Sequence, residues 1–288
     1  TLNAAYLSAL YSAAGREKDA REYGARAHAA LAASGKLGVP EYHIGYGFLG
    51  QNYLIALAFA CDLVWDHPDW TDVERESLRT MFYGYMDELK VHMHRKHLSN
   101  HAAWCQARVA TTAFLFKDEQ LAAECMDGPD SYPTRIAHAF FDDGINYEQA
   151  LWHYHVYSVL PVTITALAAR GAGAQPDPMT IEVPNDKSLV FLGGTTGDYT
   201  MPFYPADEAE FPRPETKNLH LAMVAQFDIL RPDMTCPAIG DYGGPTPSMA
   251  DHCLTELAWD LYGDERAARL LADGGREGGD CYPLPENL

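Results

Sequence analysis

The stretch GQNYLIALAFACDLV, residues 50–64, decides the fold class. Apolar residues occupy almost every position, so a helix here has no solvent face and must lie inside the molecule. A second stretch repeats the message. Residues 146–169, NYEQALWHYHVYSVLPVTITALAA, form a long and strongly apolar run. Two fully buried helices need other helices around them, and the rest of the chain supplies the pattern. Leu2–Ala14 and Glu17–Ala33 are Ala-rich, with apolar residues at steps of three and four. Gly35 and Gly38–Pro40 end the second of these. Thr71 caps a helix whose first turn is acidic and which runs to Met93. Further helices are expected over His101–Phe116, Asp118–Met126, Pro133–Phe141, Lys187–Leu192, Glu215–Leu230, Met249–Leu261 and Glu265–Ala272. Short polar loops between successive helices imply antiparallel hairpins. The expected architecture is all-α, an α/α toroid or solenoid in one domain over residues 1–288, with little strand. Tyr199–Pro202 is the best strand signal. A weak echo between Tyr199–Asp207 and Met234–Asp241 is consistent with a repeated hairpin.

Composition bounds the function. The net charge of −19 repels nucleic acid and anionic membranes. No run of eighteen apolar residues crosses a bilayer. Residues Thr1–Ala14 lack the basic start and apolar core of a signal peptide. The six cysteines are widely spaced with no CxxC, which fits buried thiols at Cys61 and Cys105 rather than a disulfide framework. The one basic cluster, Lys90, Arg95 and Lys96 with His92, His94 and His97, is either a cationic cleft or a solvated helix end. Its cations oppose a metal ion, and no metal or other cofactor is expected.

Two constellations carry chemistry. In the first, Ser99 or Asn100 is the N-cap of the helix containing Trp104, which puts Asn100 and His101 beside free backbone N–H groups. That place suits a carboxylate. In the second, the Asp142-Asp143-Gly144 turn leads to Tyr147, Glu148, Trp152, His153, Tyr154, His155 and Tyr157. Aromatic platforms with ionisable groups suit a sugar, and a positioned phenol can move protons. Tyr42–Gly47, with Tyr46 at its tip, either lines a cleft or forms a tight turn.

The Asn100-His101 pair, the later Asp143-Gly144, Glu148 and Tyr154-His155, and Pro237–Asp241 together resemble the heparinase II/III and alginate lyase superfamily, over residues 40–245. The resemblance implies an α/α toroid, with β-sandwich domains that these 288 residues do not contain. It implies a secreted or periplasmic polysaccharide lyase whose partner is an anionic polysaccharide. Asn100 would neutralise a uronate carboxylate, and His101 would assist or act as base. Tyr154 would move the proton, with Tyr157 in reserve. Glu148 would orient them. Trp104, His153, His155, Arg95 and Tyr46 would contact substrate. A uronyl epimerase, a toroidal glycoside hydrolase and a non-catalytic glycan-binding domain are the competing readings.

Overall fold

The computed structural model describes residues 1–39, 53–95, 98–127, 130–146, 153–175, 177–184, 216–230 and 252–274. These form an all-α molecule. Helices α1 (Leu2–Ala13), α2 (Glu17–Leu37), α3 (Tyr53–Val64), α4 (Asp72–Tyr83), α5 (Met86–Arg95), α6 (Asn100–Phe116) and α7 (Glu119–Asp127) build the first part. Helices α8 (Tyr132–His138), α9 (His153–Gly171), α10 (Leu219–Asp228), α11 (His252–Tyr262) and α12 (Glu265–Gly274) build the second. The described strand is limited to β1 (Val183–Pro184) and β2 (Thr216–Lys217), an antiparallel pair that joins Val183 to Lys217.

Sequence explains which helices go inside. Helices α3, α6 and α10 bury residues on every side. Most of α9 is buried as well. By contrast α2, α4 and α12 bury one stripe and expose the other. Helix α6 is the hub. It packs on α3, α5, α7 and, most extensively, α9. One apolar cluster fills the space among α1 to α7, and a second fills the space among α8 to α12. A small third cluster bridges α3, α6 and α9 through Ile55, Trp104, Ala107 and Ile164.

Local signals set most boundaries. Thr71 and Glu74 form a reciprocal capping box at α4. Ser99 is the cap of α6, its hydroxyl accepting from the Ala102 N–H, so Asn100 is the first helical residue. The helix expected from Asp72 to Met93 divides into α4 and α5 instead. Gly84 is a weak helix former at the break. Tyr85 turns inward there, and its phenol meets that of Tyr53. Asn146, expected to open the next helix, instead pairs with Phe140 across a tight turn, and the helix is described from His153, residues 147–152 lying outside the described residues. The Lys187–Leu192 helix, the Tyr199–Pro202 strand, the echo at Met234–Asp241 and the Pro237–Asp241 motif lie outside the described residues.

A buried polar tie fixes α6 to the segment that follows it. The Gln106 amide donates to the carbonyls of Cys125 (3.2 Å) and Asp130 (2.8 Å). Its oxygen accepts from Arg135 Nε at 2.8 Å. Gln106 and Arg135 are both fully buried. One side chain thus holds the end of α7, the connection and α8 against α6, with the charged donor strengthening the bond.

The α2–α4 crossing is set by Gly35, where an added Cβ would lie 2.8 Å from the Leu78 backbone nitrogen. Alanine gains about 1 kcal/mol in helix propensity. Forcing the two backbones apart costs about 1–3 kcal/mol. Gly35→Ala should therefore lower the midpoint of chemical unfolding followed by circular dichroism; a raised midpoint would refute the close crossing.

Candidate active site

The first turn of α6 presents Asn100 and His101. Asn100 is buried and His101 half-buried. Steps of three and four residues place Trp104, and then Arg108, on the same stripe. Trp104 is 97% covered in the bridging cluster, and its indole N–H has no hydrogen-bond partner. Arg108 is fully buried. Burial pulls its guanidinium below the usual range, while Cys105 and the phenolate charge of Tyr157 act in the opposite sense.

Helix α9 supplies the facing stripe. The rings of Trp104 and Tyr157 meet with centroids 5.0 Å apart. Each is the fifth residue of its helix. The two helices share the most extensive contact between described helices. Their fifth residues can pair in that way only if the helices run in the same direction. The N-terminal turns of α6 and α9 therefore lie at one end of the pair. Tyr154 stands one turn before Tyr157 on the same stripe, as Asn100 and His101 stand one turn before Trp104. Both Tyr154 and Tyr157 are half-buried. Within α9, Pro161 has no N–H to return to the Tyr157 carbonyl, so the helical ladder is interrupted just below the phenol.

His155 behaves differently from its neighbours. It is 1% exposed and lies on another side of α9, edge-on to Phe140. Its Nδ1 accepts from the Asn146 N–H at 3.1 Å, which requires the neutral Nε2–H tautomer. Burial pushes its pKa down to about 4, partly offset by the Ala222 carbonyl. The structure therefore places His155 in the core as a tie between α9 and the preceding turn, away from the substrate face expected for it. That turn is tight. Gly144 adopts φ +86°, and a Cβ there would stand 2.6 Å from the Leu221 carbonyl oxygen. The Asp143 carboxylate accepts from the Ile145 N–H at 2.9 Å.

The remaining expected site residues divide in two. Tyr46 and Glu148 lie outside the described residues, as do the side chains of Arg95 and His153; Arg95 ends α5 and His153 begins α9. The described side chains of the basic cluster each face an acid. Lys90 pairs with Glu124 at 2.9 Å, His94 with Asp130 at 2.7 Å and His92 with Glu88 at 3.7 Å. It is a helix end tied to acids, with Lys96 and His97 beyond the described residues. Arg108 escaped the sequence reading. The four-residue step from Asn100 through Trp104 to Arg108 was the signal that could have found it. Among the described residues no group of three or more His, Cys, Asp or Glu could hold a metal ion.

The sequence profile of the alginate lyase family matches residues 25–208, which include both stripes. The chain belongs to the alginate lyase family. The match spans α3, α6 and α9 together with the turn before α9. No curated protein gives a significant match. Membership in this family makes the chain a polysaccharide lyase by class. No described helix is long and apolar enough to cross a membrane. Cys61, Cys105 and Cys125 are free and buried, as expected for the first two. Burial raises all three thiols, Cys125 to about 12.

The His155 shift carries a pH signature. The unfolded chain takes up this proton near the ordinary value of 6.5, whereas the folded protein resists it down to about 4. Stability is therefore complete above pH 6.5 and falls with acidification through that window, by about 3 kcal/mol from this group. His155→Gln should be less stable at neutral pH yet lose correspondingly less between pH 6.5 and 4, measured by urea unfolding at each pH. Parallel pH profiles in the two proteins would remove His155 from the core account.

Proposed function

We propose that this chain cleaves alginate by β-elimination, at the end of the molecule where α6 and α9 both begin. The observation that carries the reading is the Trp104–Tyr157 contact between parallel helices, which aligns Asn100 and His101 with Tyr154 and Tyr157. The helical array is read as a single α/α toroid whose cleft opens at that end.

The chemistry asks for three things. The uronate carboxylate must be masked, because its charge opposes removal of the C5 proton. A base must take that proton. An acid must protonate O4 as the C4–O4 bond breaks and the C4–C5 double bond forms. Asn100 donates its amide to the carboxylate, and His101 hydrogen-bonds to it or serves as the base. The N-terminus of α6 adds positive potential at the same place. That local field answers the net charge of −19, which would otherwise repel a polyanion.

A phenol on α9 moves the protons. Tyr157 is preferred over Tyr154, because the buried Arg108 attracts its phenolate and Trp104 fixes its ring. His101 faces a carboxylate-bearing substrate better than a neutral one, which favours a uronate polymer over the glycoside hydrolase reading. Two acids available to a hydrolase are also occupied: Asp143 holds the turn and Asp142 pairs with Lys217.

The test is a panel of alginate, its mannuronate and guluronate blocks, and a heparin-like glycan. Product is followed by the ultraviolet absorbance of the unsaturated uronate. Turnover is expected on alginate. Asn100→Ala, His101→Ala and Tyr157→Phe should each lower it about a hundredfold or more with helical circular dichroism preserved, whereas Tyr154→Phe should retain more activity. Proton exchange at C5 without absorbance would make the chain an epimerase. Binding without either would make it a glycan-binding domain.

A further inference from the structure

Lys217, on β2, is only 2% exposed and its ammonium group reaches the last turn of α8 and the residues just after it. Nζ donates to the Phe140 carbonyl at 2.8 Å and the Ala137 carbonyl at 3.1 Å, and it lies 3.2 Å from Asp142 Oδ1. A buried ammonium is retained only where several oxygens replace its water. Here they come from the last turn of α8 and the residues just after it, so the lysine clamps the point where the chain turns toward α9.

The clamp continues through a chain of contacts into the first described turn of α9. Phe140 pairs with Asn146. The Asn146 amide donates to the Ala139 carbonyl at 2.9 Å. The Asn146 backbone N–H donates to His155 Nδ1 at 3.1 Å. His155 sits between Tyr154 and Tyr157 in sequence and on a different side of the helix, so the bond it accepts resists rotation of that turn about its axis. Gly144, seated on the Leu221 carbonyl, braces the turn from behind. Lys217 itself is committed to these oxygens.

We propose that Lys217, together with Asp142, is a positioning residue that fixes the rotation of the first turn of α9 and hence the aim of its two phenols. The inference rests on the α9 phenols being the proton-transfer groups, as proposed above. Loss of the clamp leaves substrate binding largely intact and misaims the phenol, and a misplacement of about 1 Å can cost about a hundredfold in rate.

The experiment compares Lys217→Met and Asp142→Asn with wild type on alginate. It measures kcat, KM, the pH–rate profile and the exchange rates of the Asn146 and His155 amides by nuclear magnetic resonance. Asp142→Asn keeps both carbonyl bonds to Lys217 and so folds even if Lys217→Met does not; in that case it decides alone. The expected result is a fall in kcat of about tenfold to a hundredfold for Lys217→Met and less for Asp142→Asn. KM should stay within about threefold, the limbs of the pH profile should keep their positions, and the Asn146 amide should exchange faster. The inference is overturned if kcat stays at the wild-type value while Asn146 exchanges faster. It is equally overturned if kcat falls with Asn146 exchange unchanged, or if the pH limbs move. Failure of the lyase reading looks different, since the wild-type chain would then show no turnover on any uronate polymer.

Discussion

Two neighbouring helices can begin at the same end of a molecule only if the chain between them travels back along their length. Helices α6 and α9 meet this condition through α7, α8 and the turn at 139–146. The whole candidate site depends on that return journey being rigid. Gln106 supplies part of the rigidity by holding Cys125, Asp130 and Arg135 at once. The Asn146–His155 bond supplies the rest at the far end. Neither residue faces the proposed substrate. Both spend buried hydrogen-bonding capacity on fixing a relation between two helices, which is the kind of polar network that specifies one arrangement of an otherwise apolar core.

Electrostatics follow from the same geometry. Most described cations are paired with acids at the surface, as at Lys90 and Arg266. Among the described residues, the buried Lys and Arg side chains are Arg108, Arg135 and Lys217. Surface pairs of this type contribute little to stability and are screened by salt. The buried three act where the dielectric is low. An acidic protein can therefore approach a polyanion if its positive potential is concentrated at a helix N-terminus and beneath a phenol, with the negative excess spread over the outside.

Much of this was legible in the sequence. The all-round apolar runs at 50–64 and 146–169 announced buried helices, and the Thr71-to-Glu74 signature announced a cap. The Asn100-His101 pair was found because a cap leaves free N–H groups, which is a local property. What escaped was non-local. Arg108 is an ordinary helix residue until α9 brings Tyr157 to its stripe. His155 looked like part of an aromatic, substrate-facing helix because period alone does not say which side meets solvent. The break at Gly84 was hidden for the same reason: it is the burial of Tyr85 beside Tyr53 that turns the chain there. Lys217 gave no sequence signal, since its oxygen partners lie about eighty residues earlier.

The buried thiols couple oxidation to unfolding. Only a thiolate attacks a disulfide or is readily oxidised, and Cys61, Cys105 and Cys125 are both covered and held protonated inside the folded chain. In an oxidising medium the native protein thus carries three latent nucleophiles that stay silent for as long as it stays folded. A single excursion to the open chain releases all three at ordinary acidity, and any bridge they form then engages a thiol that the folded chain buries. Loss of structure under such conditions becomes a one-way passage, so shelf life in air is governed by the rate of opening rather than by the depth of the folding equilibrium.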